Sequence, residues 1–132
     1  MIFGIGIDLA KCSRFEKWLK KPEMLRRFFN QEEILSPSGP LTPPRISAAL
    51  QHYAARFAAK EAFSKALGCG LAFDLRDLYV QNLPSGKPTL AVTGSALECL
   101  KKNCPQWQRA KIFVSLSHEK EFAAAQVAIE IS

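Results

Sequence analysis

Residues 2–9 alternate along the chain. Phe3, Ile5, Ile7 and Leu9 fall on one side of an extended segment, and Ile2, Gly4, Gly6 and Asp8 on the other, which predicts a strand. The second side is nearly bare beside Asp8 and leaves space for another backbone or a ligand. A helix follows, with Ser13-x-x-Glu16 as a candidate capping box and Phe15, Trp18 and Leu19 as its apolar stripe. Pro22 suits the opening of a second short helix through Met24, Leu25, Phe28 and Phe29. Stretch 36–44 carries four prolines and a glycine and reads as an exposed loop. A long helix is predicted over 45–67, closed by Gly68. Beyond it the period becomes strand-like. Segments 75–81 and 89–93 flank Pro84-Ser85-Gly86-Lys87-Pro88 as a hairpin with a longer loop. Residues 95–102 suit a helix, and 111–117 with 123–131 suit a second hairpin turning at His118-Glu119-Lys120-Glu121. The expectation is one α+β domain over residues 1–132. Its mainly antiparallel sheet has about five strands, packed with one long helix and shorter ones.

The stretch Arg56-Phe57-Ala58-Ala59-Lys60-Glu61-Ala62-Phe63-Ser64-Lys65-Ala66-Leu67-Gly68 carries the most chemistry. At about 100° per residue, Arg56, Phe57, Lys60, Glu61, Ser64 and Lys65 fill one arc and the apolar residues the other. A metal-binding carboxylate beside phosphate-binding cations is what chemistry on a phosphate ester needs. The alternatives are a solvated face and a Glu61–Lys65 surface ion pair worth a few tenths of a kcal/mol. Asp8 is open in the same way: a metal ligand aimed across the small-residue side, or an N-cap.

At 132 residues and 48% hydrophobic, the chain suits a single core. No apolar run is long enough to span a membrane, and the first residues lack the pattern of a signal peptide. The four cysteines form no CxxC pair and only two histidines are available, so zinc is disfavoured and free thiols in a reducing cytoplasm are expected. The net charge of +6 is partly concentrated: residues 11–27 hold seven basic residues against two acidic ones. Such a segment suits an acidic partner or is simply a solvated face.

Other motifs are weaker. Ser115, Ser117 and His118 lack the Gly-x-Ser-x-Gly elbow of a hydrolase. Leu9 stands where a dinucleotide fingerprint needs its third glycine, and Gly68-Cys69-Gly70 lacks the Lys-Ser/Thr of a P-loop.

Three stretches taken together resemble a known family. Gly4-Ile5-Gly6-Ile7-Asp8-Leu9 with Arg14, the 56–68 stretch, and Val114-Ser115-Leu116-Ser117-His118 with the alanine-rich 122–127 resemble the holo-acyl-carrier-protein synthases, the small 4′-phosphopantetheinyl transferases. The resemblance runs in order over nearly the whole chain and includes Gly86-Lys87-Pro88. It implies a magnesium-dependent transfer of the phosphopantetheine arm of coenzyme A to a serine of an acyl carrier protein, with release of adenosine 3′,5′-bisphosphate. By that pattern Asp8 and Glu61 hold Mg²⁺, and Asp8, Glu61 and Lys65 form the catalytic set, with Lys65 on the pyrophosphate. Arg56, Lys60, Gly86, Lys87, Pro88, Ser117 and His118 bind coenzyme A. Arg14, Trp18, Arg26, Arg27, Phe28 and Phe57 meet the acidic carrier. The family pattern also implies homotrimers with active sites between subunits.

Mg²⁺ takes only one or two carboxylates alongside phosphate oxygens and waters, so two acids meet its demand. The metal and Lys65 would neutralise charge developing on the leaving phosphate. Glu61 or a water on the metal would serve as the base. The competing reading is a basic module for single-stranded nucleic acid, using the 11–27 cations with Phe15, Trp18, Phe28 and Phe29. It leaves Asp8, Glu61 and His118 unexplained. A carrier-binding relative without transferase activity is disfavoured, because every expected site residue is present.

Overall fold

The computed structural model describes residues 1–36 and 39–132. In chain order its elements are β1 (Ile2–Lys11), α1 (Glu16–Leu19), α2 (Pro22–Phe28), α3 (Pro43–Leu67), β2 (Leu78–Asn82), β3 (Pro88–Val92), α4 (Gly94–Asn103), β4 (Ala110–His118) and β5 (Phe122–Ile131). Single 3-10 turns at Cys12–Phe15, Gln31–Glu33, Leu75–Asp77 and Trp107–Arg109 join them. The fold is α+β with every ladder antiparallel, as the pattern predicted. The five strands divide into two sheets, β1-β5-β4 and the hairpin β2-β3.

The centre of the molecule is α3. Pro43 and Pro44 sit in its first turn, where a missing N–H costs nothing, so the helix starts two residues before the predicted boundary. Its far end stops at Gly68, which takes a left-handed φ of 76°. The Cys69 amide reaches back to the Ser64 carbonyl at 3.1 Å and satisfies one of the last turn's free acceptors. The loop expected over 36–44 includes Pro37 and Ser38, which lie outside the described residues.

β1 crosses α3 at very close range. A Cβ at Gly4 would run into the Ala66 carbonyl, and one at Gly6 into the Ala62 carbonyl. The bare side of β1 is therefore filled by helix backbone. This turns Ile5, Ile7 and Leu9 outward, each more than half exposed. The strand continues to Lys11, so Asp8 opens no helix and its N-cap reading fails.

The other side of α3 is covered too. The turn Gln31–Glu33, strand β2 and an aromatic cluster of Phe15, Trp18, Phe29, Tyr53 and Phe57 close over it. A single core cluster results, in which α3 is wrapped nearly all round. The capping box expected at Ser13 and Glu16 does not form, since that segment begins as a 3-10 turn without a side-chain cap. A reciprocal box forms instead at Asn30 and Glu33. The Asn30 side chain accepts from the Glu32 amide at 2.9 Å, and the Asn30 amide donates to Glu33 Oε1 at 3.1 Å. Among the described residues no helix is long and apolar enough to cross a membrane.

Candidate active site

Two clusters emerge from the predicted residues. The first lies where β1 meets α3. Lys65 Nζ donates to Asp8 Oδ1 at 3.0 Å and to the Ile7 carbonyl at 3.0 Å. The Asp8 side chain is 17% exposed and that of Lys65 53%, so the pair is open on its cationic side. Glu61 stands one turn before Lys65 on the same helix and is half-buried. Its carboxylate makes no ion pair or hydrogen bond among the described residues, so the Glu61–Lys65 surface pair is replaced by the pair across to Asp8.

The second cluster is a cleft of about 440 Å³ between α3, the β2-β3 hairpin and the end of β4. Arg56, Gly86, Pro88 and His118, predicted from three separate stretches, all line it. The hairpin pattern supplies one wall: Gly86 takes φ 89° and its amide closes onto the Leu83 carbonyl at 2.7 Å. The alternation of β4 supplies another. His118 pairs with buried Ala123 and lines the cleft while remaining exposed, whereas Ser117 pairs with Ala124 on the alternate face. Gln51, His52 and Asn82 also line the cleft and were missed by the sequence reading. His52 precedes Arg56 by one helical turn, a spacing that would have found it. Its Nε2 lies 2.6 Å from the Glu33 carbonyl, so that nitrogen carries the proton. Burial, aided by the nearby Arg56 charge, lowers its pKa to about 4, so the ring is neutral near pH 7.

Some predicted residues are not brought to either cluster. Lys60 corrects the clean polar arc: it is 1% exposed, and its ammonium is used up by Glu33 Oε1 at 2.7 Å, the Leu75 carbonyl at 3.0 Å and the Leu78 carbonyl. It has no proton left for a coenzyme phosphate. Ser64 is buried for the same reason, its hydroxyl donating to the Glu61 carbonyl at 2.7 Å. Lys87 and Ser117 are exposed and lie outside the cleft of this chain.

The basic segment is likewise rearranged. Phe57, expected on the surface, is 4% exposed within the aromatic cluster. Arg14 covers it, its guanidinium carbon 4.7 Å from the ring centre. Trp18 stacks on Phe28 at 5.0 Å, and both are half-buried, while Arg26 and Arg27 are exposed on α2. Arg14, Arg26 and Arg27 are all exposed, and the Trp18–Phe28 stack is half-buried. Phe15 and Phe29, expected as stacking residues in the nucleic-acid reading, are core, and Trp18 and Phe28 pack on each other.

A carboxylate–lysine pair and a separate cleft lined by Arg56 and His118 both suit chemistry on a phosphate ester. Residues 4–127 match the family model of the 4′-phosphopantetheinyl transferase superfamily. A holo-[acyl-carrier-protein] synthase of Treponema denticola is 47% identical over 98% of this chain and 99% of its own length. A holo-(acyl-carrier-protein) synthase from Bacillus anthracis, solved in complex with CoA (3′,5′-ADP), superposes with a TM-score of 0.73 at 33% identity, covering 100% of this chain and 99% of that one. An acyl carrier protein synthase of Plasmodium yoelii with ADP bound superposes with a TM-score of 0.80 at 28% identity, covering 100% and 98%. The chain belongs to the 4′-phosphopantetheinyl transferase superfamily. It is accordingly an enzyme of the transferase class.

Proposed function

We propose that the protein is a holo-acyl-carrier-protein synthase and that residues 1–132 form one such domain. It moves the 4′-phosphopantetheine group of coenzyme A to a serine hydroxyl of an apo acyl carrier protein. The observation that carries this reading is the convergence of Arg56, Gly86, Pro88 and His118 on one cleft. In the reaction the serine oxygen forms a bond to the phosphorus that bears the pantetheine arm. The P–O bond of the pyrophosphate bridge breaks. Adenosine 3′,5′-bisphosphate leaves with the electron pair, and the serine proton passes to a base.

Arg56 and His118 hold the coenzyme's phosphates, and Gly86 with Pro88 lets the nucleotide lie against backbone. Lys65, 53% exposed, reaches the pyrophosphate and offsets charge gathering on the leaving oxygen. Asp8 and Glu61 would hold Mg²⁺. Among the described residues no group of three or more His, Cys, Asp or Glu gathers around one point, so a cation satisfied wholly by protein is not catered for. Two carboxylates fit a cation that completes its shell with phosphate oxygens and water. When bound, the metal supplies Lewis-acid polarisation of the phosphoryl group.

The exposed side of the β1-β5-β4 sheet supports a homo-oligomer, the homotrimer of the family pattern. Ile5, Ile7 and Leu9 of β1 and Phe113 of β4 are all 45% exposed or more, and contiguous apolar surface of this kind marks an interface. Asp8 lies on the same strand as that surface, while the Arg56 cleft opens elsewhere, an arrangement suited to sites completed between subunits. The carrier docks on Arg14, Arg26 and Arg27 beside Trp18 and Phe28. Use of coenzyme A and four free thiols suit the cytoplasm. Incubation with coenzyme A, Mg²⁺ and an apo carrier tests the reading: the carrier should gain one phosphopantetheine. An unchanged carrier mass in the presence of folded protein would contradict it.

A further inference from the structure

The cleft's two walls are tied together by one buried residue that does not itself line the cleft. Glu33, 1% exposed, bonds to both. On the α3 side its Oε1 accepts from Lys60 Nζ at 2.7 Å, and its carbonyl accepts from His52 Nε2 at 2.6 Å. On the hairpin side its Oε2 accepts from the Val80 amide at 3.1 Å. Val80 stands two residues before Asn82, which lines the cleft together with His52. Lys60 completes the tie by donating to the carbonyls of Leu75 and Leu78, at the root of β2. Every buried side-chain polar atom among the described residues has a partner.

A buried ion pair is a poor device for stability alone, since apolar side chains of like volume commonly serve as well. It is a good device for geometry, because each bond fixes a direction as well as a distance. We propose that Glu33 is a positioning residue for coenzyme A: through Lys60, His52 and Val80 it sets the spacing between the Arg56 wall and the hairpin wall. This rests on the cleft being the coenzyme site. The chemical consequence is specific. Loosening the tie weakens the coenzyme's nucleotide end more than carrier recognition at α1 and α2, which Glu33 meets through the Asn30 amide at 3.1 Å.

The test is calorimetric titration of the full chain with coenzyme A, with steady-state kinetics alongside. Glu33→Gln keeps the shape but turns an amide donor toward either Val80 or Lys60. Its Kd for coenzyme A should rise about tenfold, as misplacement of a binding wall by a fraction of an ångström would produce. Its KM for the carrier should change less than about twofold. Glu33→Asp, which cannot span both partners, should weaken binding in the same sense and serves if Glu33→Gln fails to fold. Leu100→Ala, a core truncation in α4, should lower Tm comparably while leaving the coenzyme Kd unchanged. Unaltered coenzyme binding in a folded Glu33 variant would overturn the proposal, as would equal weakening by Leu100→Ala. Failure of wild type to bind coenzyme A would instead remove the reading of the cleft, and this proposal with it.

Discussion

Lys65 Nζ lies 3.0 Å from Asp8 Oδ1 and joins residues 57 positions apart in the chain. The approach is possible because Gly4 and Gly6 let β1 lie directly on the backbone of α3. The pair fixes where one carboxylate of the proposed metal site points before any ligand arrives. It is partly exposed, so it contributes under about 1 kcal/mol to stability. Asp8→Asn and Glu61→Gln should therefore keep the fold and Tm while lowering kcat by about a hundredfold or more, the scale lost with a key electrostatic contact. Transfer assays across a Mg²⁺ titration check this. Full activity of either variant at limiting Mg²⁺ would remove the residue from the site.

Arg56 and His118 face one cleft, so they should act on one end of coenzyme A. Arg56→Met should weaken coenzyme binding by about 1.5–3 kcal/mol, the usual range for a charge-assisted hydrogen bond. His118→Ala should cost less. Dephospho-coenzyme A separates the phosphates: if these groups hold the 3′-phosphate, their loss should matter little with that analogue. An undiminished effect would reassign them.

Arg14 covers buried Phe57 and projects from the basic segment, far in sequence from the cleft residues. Arg14→Glu should raise the carrier's KM several-fold and leave coenzyme binding nearly unchanged. Carrier association should also slow as salt rises, because the steering is electrostatic. Equal carrier kinetics in both proteins would sink the docking role. Single-strand affinity lost on the same reversal would favour the nucleic-acid reading.

His52 gives a pH dependence of stability. Its pKa falls from 6.5 to about 4 on folding because burial disfavours the charged ring. Between those values the unfolded chain binds a proton that the folded chain refuses. Stability is complete above about pH 6.5 and drains away as pH falls toward 4, by up to about 3 kcal/mol. Melting curves from pH 7.5 to 4.5 should show this slope in wild type and a shallower one in His52→Gln. Parallel slopes would mean another group titrates there.

The elements were legible because their signals are local. The period-2 run before Asp8, the glycine after Leu67 and the turn around Gly86 each specify their own backbone. What packs against an element is not local, and the misreadings follow from that. A helical wheel placed Lys60, Phe57 and Ser64 on one polar arc, yet α3 is covered on that arc by β2, the Gln31–Glu33 turn and the aromatic cluster. Glu33 carries no local signal in the sequence, because its partner Lys60 is 27 residues away. The alternation of β1 showed two faces but not which one turned inward; only the fit of Gly4 and Gly6 to α3 decides it. Arg56, Gly86, Pro88 and His118 converge on one cleft because each sits on a well-specified element: α3, the turn of the β2-β3 hairpin and the end of β4.

The most direct measurement follows both products of one reaction. Wild-type protein is incubated with coenzyme A, Mg²⁺ and apo carrier, and the carrier's modified residue is located by fragmentation mass spectrometry while the released nucleotide is quantified. The account predicts phosphopantetheine on a single carrier serine, with one adenosine 3′,5′-bisphosphate released per carrier modified and both products formed about a hundredfold or more slowly by Asp8→Asn. Nucleotide release without carrier modification, or no turnover by folded protein with any apo carrier offered, would contradict it.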